Sequence, residues 1–246
     1  MKISIFWFRR DLRLQDNAAL YHALKGEHPV LPIFIFDRHI LDELPEQDAR
    51  VAFIHGVLEN IKKELEEMGS SMEAHYGKPE DIWNVILEKY EVAAVYTNHD
   101  YEPYAKERDA KIATLLSAQQ IPFHTYKDHV IFEKSEVVKK DGLPYTVFTP
   151  YSRVWKAKLD SQISKDENGK SVSYFLKAYP NEKYYDNFYE TSATEIPSLA
   201  AMGFQATDIP IPDKVVTQKI VKNYDKTRNF PAINGTSRLG IHFRFV

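Results

Sequence analysis

The chain of 246 residues contains no cysteine. It therefore has no disulfide, no thiolate metal ligand and no cysteine nucleophile, and this composition favours a reducing compartment such as the cytoplasm. The apolar run at residues 3–8 is too short to span a membrane or to act as a signal peptide. The 32 basic and 35 acidic residues give a net charge of −3. Because nucleic-acid-binding domains usually carry a basic surplus, we expect the chain alone to bind DNA poorly.

Several catalytic and phosphate-binding motifs are also missing. No Gly-x-Gly-x-x-Gly follows the first apolar run, and no Gly-x-x-x-x-Gly-Lys-Ser/Thr occurs, which argues against ordinary dinucleotide and P-loop binding. There is no nucleophile elbow and no His–Glu metal helix. His99 has no His or Cys partner at ligand spacing, so we predict no metal site. The sequence predicts no catalytic acid, base or nucleophile.

Short apolar runs alternate with helical patterns over residues 1–130. The clearest helix is predicted at residues 48–68, where apolar residues recur three and four positions apart and Gly69 follows. Further helices are predicted from Asp16 or Asn17 to Lys25, from Pro79 to Tyr90 and from Pro103 to Ala118. Strands are predicted at residues 3–8, 30–36, 72–76, 92–97 and 123–126. Strands buried on both faces that alternate with helices predict a doubly wound, Rossmann-like α/β fold with a parallel five-stranded sheet.

The pattern changes after residue 130. Residues 131–214 are rich in Lys, Ser, Tyr, Asn and Pro with weak periodicity, and we interpret them as an interdomain connector. A helical pattern begins again near Val215, with apolar or aromatic residues at Val216, Ile220 and Tyr224, and two short motifs at 228–231 and 235–239 follow it before Val246. We therefore divide the chain into an α/β domain at 1–130, a connector at 131–214 and the start of a helical domain at 215–246.

Charged residues follow several of the predicted strands. Asp37 comes after the second strand, Asp100 and Glu102 come after the fourth, and Arg50 near the start of the long helix could face them. Open α/β sheets bind ligands at the carboxyl ends of their strands, which favours a ligand pocket here. Helix capping and surface ion pairing explain the same residues equally well. Residue patterns alone thus indicate an α/β domain with a possible ligand site.

Four segments of the chain are distinctive motifs. The first is Trp7-Phe-Arg-Arg-Asp-Leu-Arg-Leu-Gln-Asp-Asn17, a long and specific run, and the others are residues 98–103, 145–155 and 228–239. In this order the four segments resemble the DNA photolyase/cryptochrome family, and most closely its class I-like deoxyribodipyrimidine photolyases. The resemblance covers essentially the whole chain. It implies an amino-terminal antenna domain followed by a connector and the truncated start of an all-α FAD-binding domain.

The resemblance also implies a function. In the family, a light-harvesting chromophore passes excitation to reduced FAD, and the excited flavin gives an electron to a cyclobutane pyrimidine dimer flipped out of DNA. The parent protein would be a lyase driven by blue or near-UV light, and we expect the present chain alone to be inactive. A cryptochrome-type blue-light sensor without repair activity is the alternative, and an unrelated α/β nucleotide-binding module is a third.

Site residues follow from the same resemblance. The positions that match FAD contacts are Tyr224, Thr236, Ser237, Arg238, Leu239 and Gly240, where Gly240 replaces the usual serine. Arg228 matches a residue that contacts DNA phosphate. The positions that match the surroundings of an antenna chromophore are Phe34, Ile35, Phe36, Asp37, Arg50, Asp100, Glu102 and Arg244.

Two positions bear on the identity of the antenna. Family members that use a folate carry an Asn-Glu pair where this chain has Tyr104 and Ala105. The resemblance therefore implies 8-hydroxy-5-deazaflavin or a flavin, either FMN or a second FAD, instead of folate. It further implies a cytoplasmic, monomeric protein that acts on UV-damaged DNA through its full-length form and uses neither a membrane nor a metal.

Overall fold

A parallel sheet of five strands forms the centre of the computed structural model, which describes residues 1–165 and 169–246. The strands are β1 (Ile3–Phe8), β2 (Val30–Asp37), β3 (Glu73–Gly77), β4 (Val92–Asn98) and β5 (Phe123–Tyr126). Their order is β3-β2-β1-β4-β5, and every adjacent pair is parallel. The predicted doubly wound α/β fold is confirmed. The predicted burial on both faces is wrong for the two edge strands: the last three residues of β3 are half-buried, and the residues of β5 are half-buried or exposed.

Five helices connect these strands. They are α1 (Ala18–Leu24), the single turn α2 (Arg38–Leu41), α3 (Ala49–Glu67), α4 (Pro79–Lys89) and α5 (Pro103–Ala118). The Asn17 side chain caps α1 by accepting a hydrogen bond from the Leu20 amide at 3.1 Å, and Asp48 caps α3 in the same way. Prolines occupy the first position of α4 and α5, where a missing N–H costs nothing.

The core has two layers, one on each face of the sheet. Successive strand residues point to opposite faces, so Phe6 and Phe8 pack on one side of β1 while Trp7 packs on the other. The Phe6 side is covered by α1 and α3, and the Trp7 side is covered by α4 and α5. This arrangement leaves the carboxyl ends of the strands free to form a site.

Residues beyond 130 contain more structure than their sequence predicts. They form α6 (Phe148–Leu159) and an antiparallel pair of short strands, β6 (Ile163–Lys165) and β7 (Ser171–Ser173). Phe188, Met202 and Phe204 are buried in the core layer beside α1 and α3. Part of the proposed connector therefore packs on the α/β domain, and the proposed boundaries at 130 and 214 stay a prediction.

Two helices complete the described chain, α7 (Gln218–Thr227) and α8 (Gly240–Phe245). No residue of α7 is buried, whereas α8 is attached to the α/β domain. The Phe245 carbonyl accepts a hydrogen bond of 3.0 Å from the Leu12 amide, and the Phe53 ring contacts the rings of His242 and Phe245. Across the described residues, no helix is both long and apolar enough to cross a membrane.

Candidate functional site

A cavity of about 340 Å³ lies at the carboxyl ends of β1 and β2. The strand order reverses between β1 and β4, because the chain leaves β1 for β2 on one side and returns from β3 to β4 on the other side. Doubly wound sheets bind ligands at such a point. The lining comes from the ends of β1 and β2, from α2, α3 and α5, from the loop after β4, and from α8. Residues far apart in sequence thus meet in one concave site.

All eight residues proposed to surround an antenna chromophore line this cavity. Phe34, Ile35 and Phe36 of β2 supply part of an apolar wall, and Leu41 and Ile54 extend it. The charged members lie at the ends of the strands and at the start and end of helices. The structure brings together residues that the sequence separates by more than 200 positions. That these residues bind a chromophore stays a prediction.

Four charged residues close one side of the cavity. The Arg10 guanidinium donates to Asp100 at 2.5 Å and to Glu102 at 2.8 Å, and Arg244 of α8 donates to Glu102 at 2.6 Å. Hydrogen bonds from Arg244 and Arg10 lower the pKa of Glu102 below its ordinary value. The carboxylate therefore stays ionised and holds the last helix against the loop after β4.

Arg50 stands at the start of α3, beside the capping residue Asp48. Its Nη2 lies 2.5 Å from the Asp48 carboxylate, and this hydrogen bond is the main reason that the pKa of Asp48 is lowered. The Arg50 side chain remains 57% exposed. It can therefore contact a ligand at the mouth of the cavity without losing all of its solvation.

Asp37 lies at the opposite side, where the Tyr104 hydroxyl and the His39 amide both donate to its carboxylate. Burial and the neighbouring Asp37 raise the pKa of Tyr104, so its hydroxyl remains a donor. Arg108, one turn further along α5, lies 3.9 Å from the same carboxylate. The sequence prediction used Tyr104 to argue against folate but included neither Tyr104 nor Arg108 among the residues around the chromophore, although their i, i+4 spacing after Pro103 places them on one helix face.

The predicted FAD residues lie outside this cavity. Tyr224 is on α7 and 46% exposed, and the segment 236–240 leads into α8. Gly235 brings these parts together, because a Cβ on it would clash with the Thr227 side chain of α7, and its carbonyl accepts a hydrogen bond from the Thr227 hydroxyl. A Cβ on Gly240 would meet no atom within 4 Å, so the glycine that replaces serine is not required by packing.

Arg228 follows the last residue of α7, and its guanidinium lies 5.7 Å from the Tyr224 ring centre. It is exposed, as a residue that contacts DNA phosphate must be. Within residues 1–165 and 169–246, no group of three or more His, Asp or Glu side chains is arranged to hold a metal ion.

A family model described as DNA photolyase matches residues 4–168. The chain belongs to the DNA photolyase family. A deoxyribodipyrimidine photo-lyase of Synechococcus sp. (strain ATCC 27144 / PCC 6301 / SAUG 1402/1) is 27% identical over 98% of this chain and 50% of its own length. An uncharacterized 31.6 kDa protein of Synechococcus sp. (strain PCC 6716) is 30% identical over 99% of this chain and 84% of its own length.

Solved photolyases share the fold. A class III photolyase from Agrobacterium tumefaciens superposes with a TM-score of 0.74 at 22% identity, over 100% of this chain and 51% of that one. An archaeal photolyase from Sulfolobus tokodaii, solved with two FAD molecules, gives 0.66 at 24% identity, over 98% and 51% of the two chains. The photolyase-family chain described here thus spans about half the length of these photolyases.

Proposed function

We propose that the chain is the light-harvesting portion of a photolyase and that its cavity holds a flat antenna chromophore. The observation that carries this proposal is that all eight residues expected around such a chromophore line a single cavity. The volume of about 340 Å³ falls within the range of roughly 300–1,000 Å³ that is usual for ligand pockets. An apolar wall with a few charged groups at its ends suits a heteroaromatic ring with polar edges.

For the chromophore we propose 8-hydroxy-5-deazaflavin or a flavin. The Tyr104 ring lines the cavity, and its hydroxyl donates a hydrogen bond to Asp37. Tyr104 therefore contributes an aromatic ring to the cavity at the position where folate-using relatives carry asparagine. The Sulfolobus tokodaii photolyase contains two FAD molecules, one of them implicated as a light-harvesting cofactor. A flavin in the present cavity would serve in the same way.

For the whole protein we propose light-driven splitting of cyclobutane pyrimidine dimers, carried out by a longer form that binds DNA. When bound, reduced FAD supplies the electron that opens the dimer, and no acid or base from this chain is needed. Tyr224 and the segment 236–240 would hold the FAD, and backbone amides at 236–240 suit its phosphates. Arg228 would contact DNA phosphate. We further propose a monomeric, metal-free protein of the cytoplasm.

The test is to identify the chromophore and block its cavity. The purified chain should release a deazaflavin or flavin on denaturation, identified by its absorption spectrum, and a folate-type spectrum would overturn the assignment. Ile54→Trp places a large ring in the cavity wall and should abolish loading. Val85→Trp, at a 52% exposed position on α4, is the matched control and should load normally. Equal loading of both variants would contradict the proposed location.

A further inference from the structure

A threonine, a histidine and a glutamate form a hydrogen-bonded chain at the β5 edge of the sheet. The His99 imidazole lies between the other two: its Nε2 is 3.0 Å from the Thr125 hydroxyl, and its Nδ1 is 2.8 Å from the Glu133 carboxylate. A hydroxyl, a base and an orienting group that follow one another at about 2.6–3.2 Å are the signature of an activated nucleophile. Thr125 and Glu133 are 26 and 34 positions from His99, so no local motif marks the group.

Three segments of the fold bring these side chains together. His99 follows the last residue of β4, and its amide donates to the Tyr126 carbonyl of β5 at 2.7 Å. Thr125 belongs to β5 itself. Glu133 lies in a tight turn after β5, where its amide donates to the Glu136 carboxylate at 2.7 Å. The group is therefore separate from the cavity at the ends of β1 and β2.

Glu133 fixes which nitrogen of the imidazole carries the proton. Burial alone would raise the pKa of Glu133, but hydrogen bonds from Tyr101 and His99 lower it, so the carboxylate is ionised. An ionised carboxylate only accepts hydrogen bonds, so Nδ1 of His99 donates to it and Nε2 presents a lone pair to the Thr125 hydroxyl. The Tyr101 hydroxyl donates to the same carboxylate oxygen at 2.7 Å and holds it in place.

The hydroxyl end of this chain faces solvent, and the carboxylate end does not. Thr125 is exposed, whereas the side chain of Glu133 is 14% exposed. An exposed hydroxyl can bond to water, so burial does not oblige Thr125 to pair with His99. A reactant can therefore reach the oxygen that the base contacts.

The backbone at Thr125 supplies a donor for a negatively charged oxygen. β5 is an edge strand, and its Pro122 and Tyr126 carbonyls accept from the Val95 and His99 amides. Alternation along a parallel strand directs residues 122, 124 and 126 towards β4, so the Thr125 amide points to the open edge. In serine hydrolases the amide of the nucleophile donates to the oxyanion, and the Thr125 amide can serve in the same way.

We propose that Thr125, His99 and Glu133 form a nucleophilic centre that hydrolyses short-chain esters with good leaving groups. The Thr125 oxygen bonds to the ester carbonyl carbon while its proton passes to His99 Nε2. The bond to the leaving alcohol then breaks, the alcohol takes this proton, and an acyl-threonine remains. Water that loses a proton to the same nitrogen releases the acid and restores the hydroxyl. This activity is independent of the proposed antenna function.

The experiment measures release of p-nitrophenolate from p-nitrophenyl acetate by the purified full chain. General base catalysis contributes about 10²–10⁴-fold, so Thr125→Val, which removes the hydroxyl and nearly keeps the shape, should lower the rate above background at least about tenfold. Thr125→Ser should retain the rate. His124→Gln removes the exposed histidine next to Thr125 and is the matched control, with an unchanged rate. Mass mapping of the acid-quenched wild type should find an acetyl group on Thr125.

Two further variants test the other members of the group. His99→Gln can still form hydrogen bonds but cannot take the proton, so its rate should fall as far as that of Thr125→Val. Glu133→Gln removes the anion beside the imidazolium that forms during the reaction. The acid limb of the pH–rate profile should therefore move to lower pH, a change that a purely structural contact would not produce.

Equal rates in the wild type and Thr125→Val overturn the proposal, and so do acetyl groups found only on lysines. An equal loss in His124→Gln would assign the rate to exposed imidazoles in general and overturn it as well. If His99→Gln does not fold, as judged by circular dichroism, the comparison of Thr125→Val with Thr125→Ser decides the question. Both of these changes are made at an exposed position, and equal rates in the two variants would refute the role of the hydroxyl.

Discussion

Asn98, the last residue of β4, should be among the most sensitive positions for stability. Its side chain is 3% exposed, and its Nδ2 donates to Asp11 at 2.6 Å and to Asn17 at 2.9 Å. Its Oδ1 accepts from the Ala19 amide at 2.9 Å. That amide lies in the first turn of α1, where no carbonyl of the helix can serve it. One side chain thus joins β4, the loop after β1 and the start of α1.

The cost of Asn98→Ala can be worked out from these three bonds. The bond to the Asp11 carboxylate is charge-assisted and worth about 1.5–3 kcal/mol, and each of the other two contributes about 0.5–1.5 kcal/mol. The total is about 2.5–6 kcal/mol of unfolding free energy. For a chain of this size each kcal/mol lowers Tm by about 2–4 °C, so we expect a drop of roughly 5–24 °C.

The assay is urea and thermal unfolding followed by circular dichroism. Asn98→Asp conserves volume but turns a donor into an acceptor that faces the buried Asp11, so it should be at least as destabilising as alanine. Asn223→Ala removes a half-buried asparagine whose side chain makes a single, solvent-exposed bond to the Lys219 carbonyl, and it should change stability by less than about 0.5 kcal/mol. A nearly neutral Asn98→Asp would refute the reasoning, because the loss could then be attributed to volume alone.

Three further predictions concern other parts of the chain. Burial alone would raise the pKa of Glu73, but hydrogen bonds from His75, Lys89 and Tyr90 lower it from 4.5 to about 2. A carboxylate with a lowered folded-state pKa stabilises the protein above pH 4.5, and this contribution is lost as the pH falls from 4.5 towards 2. Glu73→Gln should therefore weaken the pH dependence of the unfolding free energy in that window, as measured by urea unfolding. An unchanged pH dependence would argue against this role of Glu73. Gly235→Ala should clash with Thr227 and speed amide exchange in α7, whereas Gly240→Ala, which has open space, should not; equal exchange in the two variants would contradict the close approach. The chain alone should neither retain FAD on gel filtration nor split dimers under blue light, and measurable light-dependent splitting would disprove this.

The sheet was predictable because its signals are local. Three of the five predicted strands, β1, β2 and β4, run mostly through buried apolar residues, and α3 carries one continuous apolar stripe. The helix α6 was not predicted, because none of its residues is buried and Pro150 interrupts the pattern. The packing of Phe188, Met202 and Phe204 on the α/β core was missed for another reason: single apolar residues in an irregular segment carry no periodicity that shows where they pack.

The candidate site was predictable only in part. Charged residues after the strands pointed to the right edge of the sheet, and the family resemblance supplied Arg50 and Arg244, which lie on separate helices. Tyr104 and Arg108 were absent from the predicted cavity set, because their role depends on how α5 is rotated against β2. That rotation is fixed by long-range packing, such as the burial of Ile112 and Leu116 against the sheet, and a local pattern does not encode it.

The family-like run at residues 7–17 combines two roles that the sequence does not separate. Asp11 and Asn17 are almost fully buried and bond to Asn98, so they fix the turn that leads from β1 into α1. Arg10, between them and the strand, turns instead to the cavity and holds Asp100 and Glu102. Resemblance in this run is therefore evidence for the fold at two positions and for the ligand site at the third. A relative that keeps Asp11 and Asn17 but changes Arg10 should retain the architecture and differ in what its cavity binds.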